Sequence, residues 1–130
     1  MSDPRNHPLH DFLECSPEYL AASELTVFRI CNGCGSAKAK FDFVPDSIYG
    51  LSITPACYIH DWDYNVGSTL RDKEIADRRL LNNMLTLIDM QTGWHQRVLK
   101  PLRRWRAMTY YTAVRDMGHS AFWAGKKRPQ

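Results

Sequence analysis

Cysteine is scarce in this chain, four in 130 residues, too few for the disulfide-dense scaffold of small secreted domains. No run approaches the roughly 18 consecutive apolar residues that a membrane-spanning helix needs, so no transmembrane segment is expected. The opening Met1–Pro8 has no apolar core and carries an early acid, Asp3, so no signal peptide is expected and synthesis in the cytosol is the default. Internal repeats and low-complexity runs are absent as well.

What is present describes one domain. A chain of 130 residues suffices for one core and is short for two. The hydrophobic share of 44% and charged share of 24% are those of a globular protein. Net charge is only +3, but the last third is basic and the middle is not. The expected organisation is an N-terminal arm over 1–15, a working core over 31–90, and a basic, aromatic C-terminal segment over 94–130.

The fold class expected is mainly α. Ser16-Pro17-Glu18 reads as a helix start, with Ser16 as cap and Pro17 at the first helical position. Tyr19, Leu20, Ala22 and Leu25 would form its buried side. Residues 31–53 carry glycines, Pro45, Asp42 and Asp46 without a sustained period, and read as a long structured loop, a kind that is uncommon unless it works. Thr54-Pro55 opens a second helix to about Val66, closed by Gly67. Ser68 is the expected cap of a third, from Thr69 towards Met90, with Leu70, Ile75, Leu81, Met84, Leu85 and Ile88 as apolar candidates. A fourth runs from after Pro101 to about Met117 and stops at Gly118.

The short connection at Gly67-Ser68 makes the second and third helices antiparallel neighbours. At about 1.5 Å per residue, His60 and Asp77 both fall roughly 10 Å from that turn. Packed helix axes lie about 8–10 Å apart, within reach of an inward imidazole and carboxylate. Tyr64 follows His60 by one turn on the same face and can bond the same carboxylate. Asp61 is rotated by about 100° and faces another neighbour, for which the 31–37 loop is the candidate. Gly33 and Gly35 permit backbone that turns carbonyl oxygens inwards, and carbonyls with a carboxylate suit a hard cation such as calcium.

The set Asn32-Gly33-Cys34-Gly35-Ser36, Pro45, Pro55-Ala56-Cys57, His60-Asp61 and Tyr64 resembles the calcium loop and His-Asp helix of the phospholipase A2 superfamily. The group XII vertebrate enzymes and the small bacterial and fungal enzymes are the most similar, over about residues 31–85. The resemblance implies a core of two antiparallel helices with an N-terminal calcium-binding loop and an extra helical C-terminal segment. It implies calcium-dependent hydrolysis of the sn-2 ester of glycerophospholipids. His60 would be the general base, Asp77 would orient it, and Tyr64 would steady Asp77. Asp61 and the backbone carbonyls of Gly33, Gly35 and Ala37 would hold calcium, with Asp42 or Asp46 as a further ligand. The partner would be a phospholipid bilayer or micelle surface, with no nucleic acid expected. Carriage in a phage particle or leaderless secretion would fit the small phage and bacterial relatives. Secreted members carry a cysteine where Asp63 stands. A Cys34–Cys57 disulfide would pin the loop to the helix; Cys15 and Cys31 read as free thiols, or as a second bridge.

Two other readings use the same residues. Cys31, Cys34, Cys57 and His60 form a three-cysteine, one-histidine set that would make a zinc-stapled, basic nucleic-acid-binding module. An inactive member of the family would bind membranes without turnover. Asp77 alone would read as part of a solvated face with Arg71, Lys73, Arg78 and Arg79. In the C-terminal segment, basic residues interleave with Trp94, Trp105, Tyr110, Tyr111, Phe122 and Trp123, a mixture that suits an anionic membrane surface. If the charges are merely solvated, Trp105, Met108, Tyr111 and Thr112 would be a helix's inner face.

Overall fold

The computed structural model describes residues 3–31, 47–124 and 126. As the hydrophobic periodicity suggests, it is mainly helical. The helices are α1 (Pro17–Ala21), α2 (Glu24–Ile30), α3 (Thr54–Val66), α4 (Leu70–Asp89), α5 (Gln96–Met117) and α6 (His119–Trp123), with a hairpin of β1 (Ser47–Ile48) and β2 (Leu51–Ser52) between α2 and α3.

Local chemistry explains most boundaries. The Ser16 side chain accepts from the Tyr19 amide and Pro17 fills the first helical position, as expected. That helix is broken, however. Ala22 leaves the helical region, and Ser23 restarts it by accepting from the Thr26 amide. Tyr19 is therefore buried, while Leu20 and Leu25 face out. Thr54 is the first residue of α3 and not its cap; Ile53 holds that position with no side-chain bond. α4 is capped by Thr69, one residue after the expected Ser68, because Asp72 closes a reciprocal capping box with Thr69. That box supplies two otherwise unpaired amides with acceptors. α5 begins at Gln96, ahead of Pro101. At the sixth helical position the proline lacks an amide to donate to the Arg97 carbonyl, and the helix nevertheless continues through it.

Residues 47–52, within the segment 31–53 expected as a loop, form a hairpin where the sequence shows no period. Tyr49 and Gly50 both take positive φ, 45° and 80°, the signature of a two-residue type I′ turn. Only two residues per strand are paired, too little to stand alone. α5 holds it: the Arg103 guanidinium donates to the Ile48 and Tyr49 carbonyls at 3.2 and 2.8 Å, and the Tyr110 hydroxyl to the Ser47 carbonyl at 3.2 Å.

α3 is the central element, buried at Pro55, Ala56, Cys57, Ile59, His60, Trp62, Asp63 and Tyr64. It packs on α4, α2, α6 and the N-terminal turn, and α4 packs in turn on α5. A three-residue connection, Gly67 to Thr69, folds α4 back along α3. The segment read as an arm is laid against this frame as two 3-10 turns, Pro4–Asn6 and His10–Phe12. Arg5 donates to the Tyr19 and Leu20 carbonyls at the end of α1, and the Asn83 amide exchanges bonds of 2.7 and 2.9 Å with the Glu14 backbone.

The inner stripe of α4 is rotated from the expected one. Met84 and Ile88 are buried, but Leu70 and Ile75 are exposed, and Leu80 and Leu87 take the core positions. The reason is that Lys73, Ala76, Asp77, Leu80, Met84 and Leu87 share one face, and two charged members of it point inwards.

Candidate active site

His60 and Tyr64 stand one turn apart on α3, and Lys73 and Asp77 one turn apart on α4, so the two pairs meet across the helix interface. His60 Nε2 lies 2.9 Å from Asp77 Oδ1. The Tyr64 hydroxyl donates to the same oxygen at 2.6 Å. The Lys73 ammonium donates to Asp77 Oδ2 at 2.7 Å and to the Val114 and Arg115 carbonyls, both at 3.1 Å. All four side chains are almost wholly buried, between 1% and 2% exposed. The His60 and Tyr64 rings are 4.1 Å apart between centroids, and Phe122 of α6 packs edge-on to Tyr64 at 5.2 Å.

The contacts around Asp77 favour its ionised form. Burial by itself would raise Asp77, but hydrogen bonding and charge from His60, then the Lys73 and Tyr64 donors, outweigh it and hold the carboxyl below its usual range. An ionised carboxylate only accepts. Nε2 of His60 is then the donor of the 2.9 Å bond to Asp77. Tyr64 is pushed far up, by burial first and then by the Asp77 charge, so it stays a phenol and a donor.

Of the residues singled out from sequence, His60, Tyr64 and Asp77 are brought together. Asp61 lies on the same helix, half-buried. Its charge is near enough to help raise the Cys31 thiol, whose shift is dominated by burial. Gly33, Gly35, Ala37, Cys34, Asp42 and Asp46 lie outside the described residues. Among the described residues no three His, Cys, Asp or Glu side chains converge on a common point. Asp61 is a hard oxygen donor, and that chemistry fits calcium. Among the described residues, Cys15 and Cys31 are free thiols.

Three residues escaped the sequence reading. Lys73 was placed on a solvated face, yet it is buried against Asp77. Its spacing of four residues before Asp77 on the inner stripe was the available signal. Asp63 is held by Arg79 Nη1 at 3.0 Å from both carboxylate oxygens, so an ion pair joins α3 to α4 where the resemblance expects a cysteine. Burial raises the Asp63 carboxyl, against the opposing pull of Arg79 and His60.

Gly118 is the third. A Cβ there would stand 2.4 Å from the Val114 carbonyl oxygen and 2.7 Å from the Tyr64 hydroxyl. The absence of a side chain is what lets α5 end against the phenol. Gly118→Ala is expected to displace Tyr64 and cost about 1–3 kcal/mol through overpacking. Equilibrium denaturation measures this, and an unchanged midpoint would remove the close-approach argument.

Comparison of the chain with protein-family models, with curated proteins and with solved structures finds no match.

Proposed function

We propose that this chain is a calcium-dependent, phospholipase A2-like hydrolase of the sn-2 ester of glycerophospholipids, with its two-helix core formed by α3 and α4. The observation that carries the reading is the bond from His60 Nε2 to Asp77 Oδ1, reinforced by Tyr64 on the same oxygen. An imidazole whose Nε2 donates to a buried carboxylate is oriented as general-base catalysis requires, and in this reading Nδ1 acts as the base.

In this reaction His60 Nδ1 takes a proton from water as the water oxygen bonds to the ester carbonyl carbon. When the tetrahedral adduct collapses, the carbon–oxygen bond to the glycerol breaks, and the departing alkoxide takes the proton back from His60. Fatty acid and lysophospholipid leave. Asp77 stays ionised throughout and stabilises the transient imidazolium. Asp61, with the expected loop carbonyls of Gly33, Gly35 and Ala37, would hold calcium, which when bound supplies positive charge to the ester carbonyl oxygen and the phosphate.

The test is fatty-acid release from phospholipid vesicles with calcium and with a chelator. Release that needs calcium and vanishes in His60→Ala is the expected result; release that survives either treatment would end the proposal. Asp61→Asn is expected to weaken calcium binding by about tenfold or more, because ligand charge sets affinity at such sites. Calorimetric titration reads this directly, and an unchanged affinity would remove Asp61 from the ligand set.

A further inference from the structure

α5 is polarised the wrong way round for a surface helix. Its inner face carries Gln96 and Arg103, 8% and 7% exposed, beside Ala107, Tyr110 and Val114. Arg103 is accommodated there because it feeds the hairpin carbonyls and the Gln96 side chain. On the opposite face Val98, Leu102, Trp105 and Met108 are 65%, 42%, 64% and 46% exposed, and Trp94, just before the helix, is 87% exposed. Successive spacings of four, four, three and three residues put these five on one line. From Val98 to Met108 the line runs about 15 Å along the axis. Trp105, Met108 and Thr112, candidates for an inner face by sequence, stand outside.

Isolated apolar side chains on a surface need no explanation, but a continuous line pointing away from the core marks a contact surface. Its flanks are basic. Arg97, Arg104 and Arg106 border the line, Arg104 in an exposed ion pair with Asp89 of α4, and Asp116 is the only acid in the helix. Arg106 lies 5.6 Å from the Trp105 ring centroid, so cation and indole are presented together.

We propose that this outer face of α5 docks the protein on an anionic phospholipid surface. The line of Val98, Leu102, Trp105 and Met108 would enter the headgroup–acyl boundary while the flanking guanidinium groups meet lipid phosphates. Apolar side chains in a row with cations on either side are what an interfacial helix requires. A second copy of the chain fits poorly, since two such faces would set Arg97, Arg104 and Arg106 against their equivalents. Nucleic acid would use the cations but not the exposed aliphatic groups. The inference rests on the phospholipid-hydrolase reading for its purpose, and names the surface on which that chemistry would be carried out.

The experiment uses the full-length His60→Ala chain, so that binding is read without turnover. It is sedimented with vesicles of phosphatidylcholine, with and without about one-third phosphatidylglycerol, over a range of salt. Binding is expected to need the anionic lipid, to weaken with salt, and to fall at least about tenfold in Val98→Glu/Trp105→Glu. Both positions are solvent-facing, so the melting temperature should be unchanged. In the chain with His60 intact, the same double substitution should leave hydrolysis of a monomeric short-chain phospholipid untouched, which separates loss of docking from loss of chemistry. Equal binding by the double variant would overturn the proposal. So would tighter binding to an oligonucleotide than to vesicles, or a dimer that the double variant dissociates.

Discussion

Asp77→Asn is expected to lower turnover by roughly four orders of magnitude, the cost of replacing the orienting acid with an amide in a comparable histidine site. An amide can present either an acceptor or a donor to Nε2, so His60 loses its fixed tautomer along with the anion that stabilises its protonated form. Calcium affinity should be retained, since Asp77 lies on α4 and Asp61, the proposed ligand, on α3. The substitution also strands Lys73, whose ammonium would keep only the Val114 and Arg115 carbonyls as partners. Removing one member of a buried ion pair costs about 3–5 kcal/mol. Initial rates on phospholipid and denaturant titrations measure the two effects. A variant with normal turnover would show that the imidazole does its work without this carboxylate.

The same carboxylate sets an acid limit on the fold. Asp77 is depressed below its ordinary value, despite burial that opposes this, by the His60, Lys73 and Tyr64 contacts. A folded-state value below the unfolded one means that the stabilisation is fully present above about pH 4 and is lost as pH falls below it. Asp63 has the opposite sign. Burial raises its carboxyl, so its ionisation costs stability as pH rises from about 4 through its folded value. Asp77 contributes to loss of stability in strong acid, together with the depressed Asp3 and Asp72, and Asp63 to a loss above it.

Much of this arrangement was legible because it is local. Helix rise and a three-residue turn place His60 level with Asp77 without any tertiary information, and one turn of helix brings Tyr64 to the same oxygen. Caps at Ser16 and the stop at Gly118 follow from residue chemistry alone. What was not legible depends on partners distant in sequence. Lys73 sits among Arg71, Arg78 and Arg79, and composition hides that only Lys73 shares the face of Asp77. Arg103 is buried because a hairpin more than fifty residues earlier supplies carbonyls to it. The hairpin itself was missed because its first turn residue, Tyr49, is not one that favours positive φ. The inversion of α5 follows from the same fact: once Arg103 is inside, Trp105 must be outside.

Lys73→Met separates a structural lysine from one that tunes the dyad. Methionine keeps the length of the side chain and removes its charge, so Asp77 would remain buried with two donors in place of three. Stability is expected to fall by about 3–5 kcal/mol, and acid unfolding to begin at higher pH, because burial then meets less opposition to raising the carboxyl. The His60–Asp77 bond survives, so turnover should drop only roughly ten- to a hundredfold, the scale of losing an outer partner of a catalytic ligand. The decisive variant is Lys73→Met/Asp77→Asn. With both charges gone, nothing ionic is left unpaired, and replacing a buried pair by neutral groups is often close to neutral in stability. The double variant should therefore recover most of the stability lost in either single one, while its turnover stays at the Asp77→Asn level. Losses in stability that simply add would mean that Lys73 and Asp77 are not a coupled pair, and that the end of α5 is not held to the dyad through this lysine.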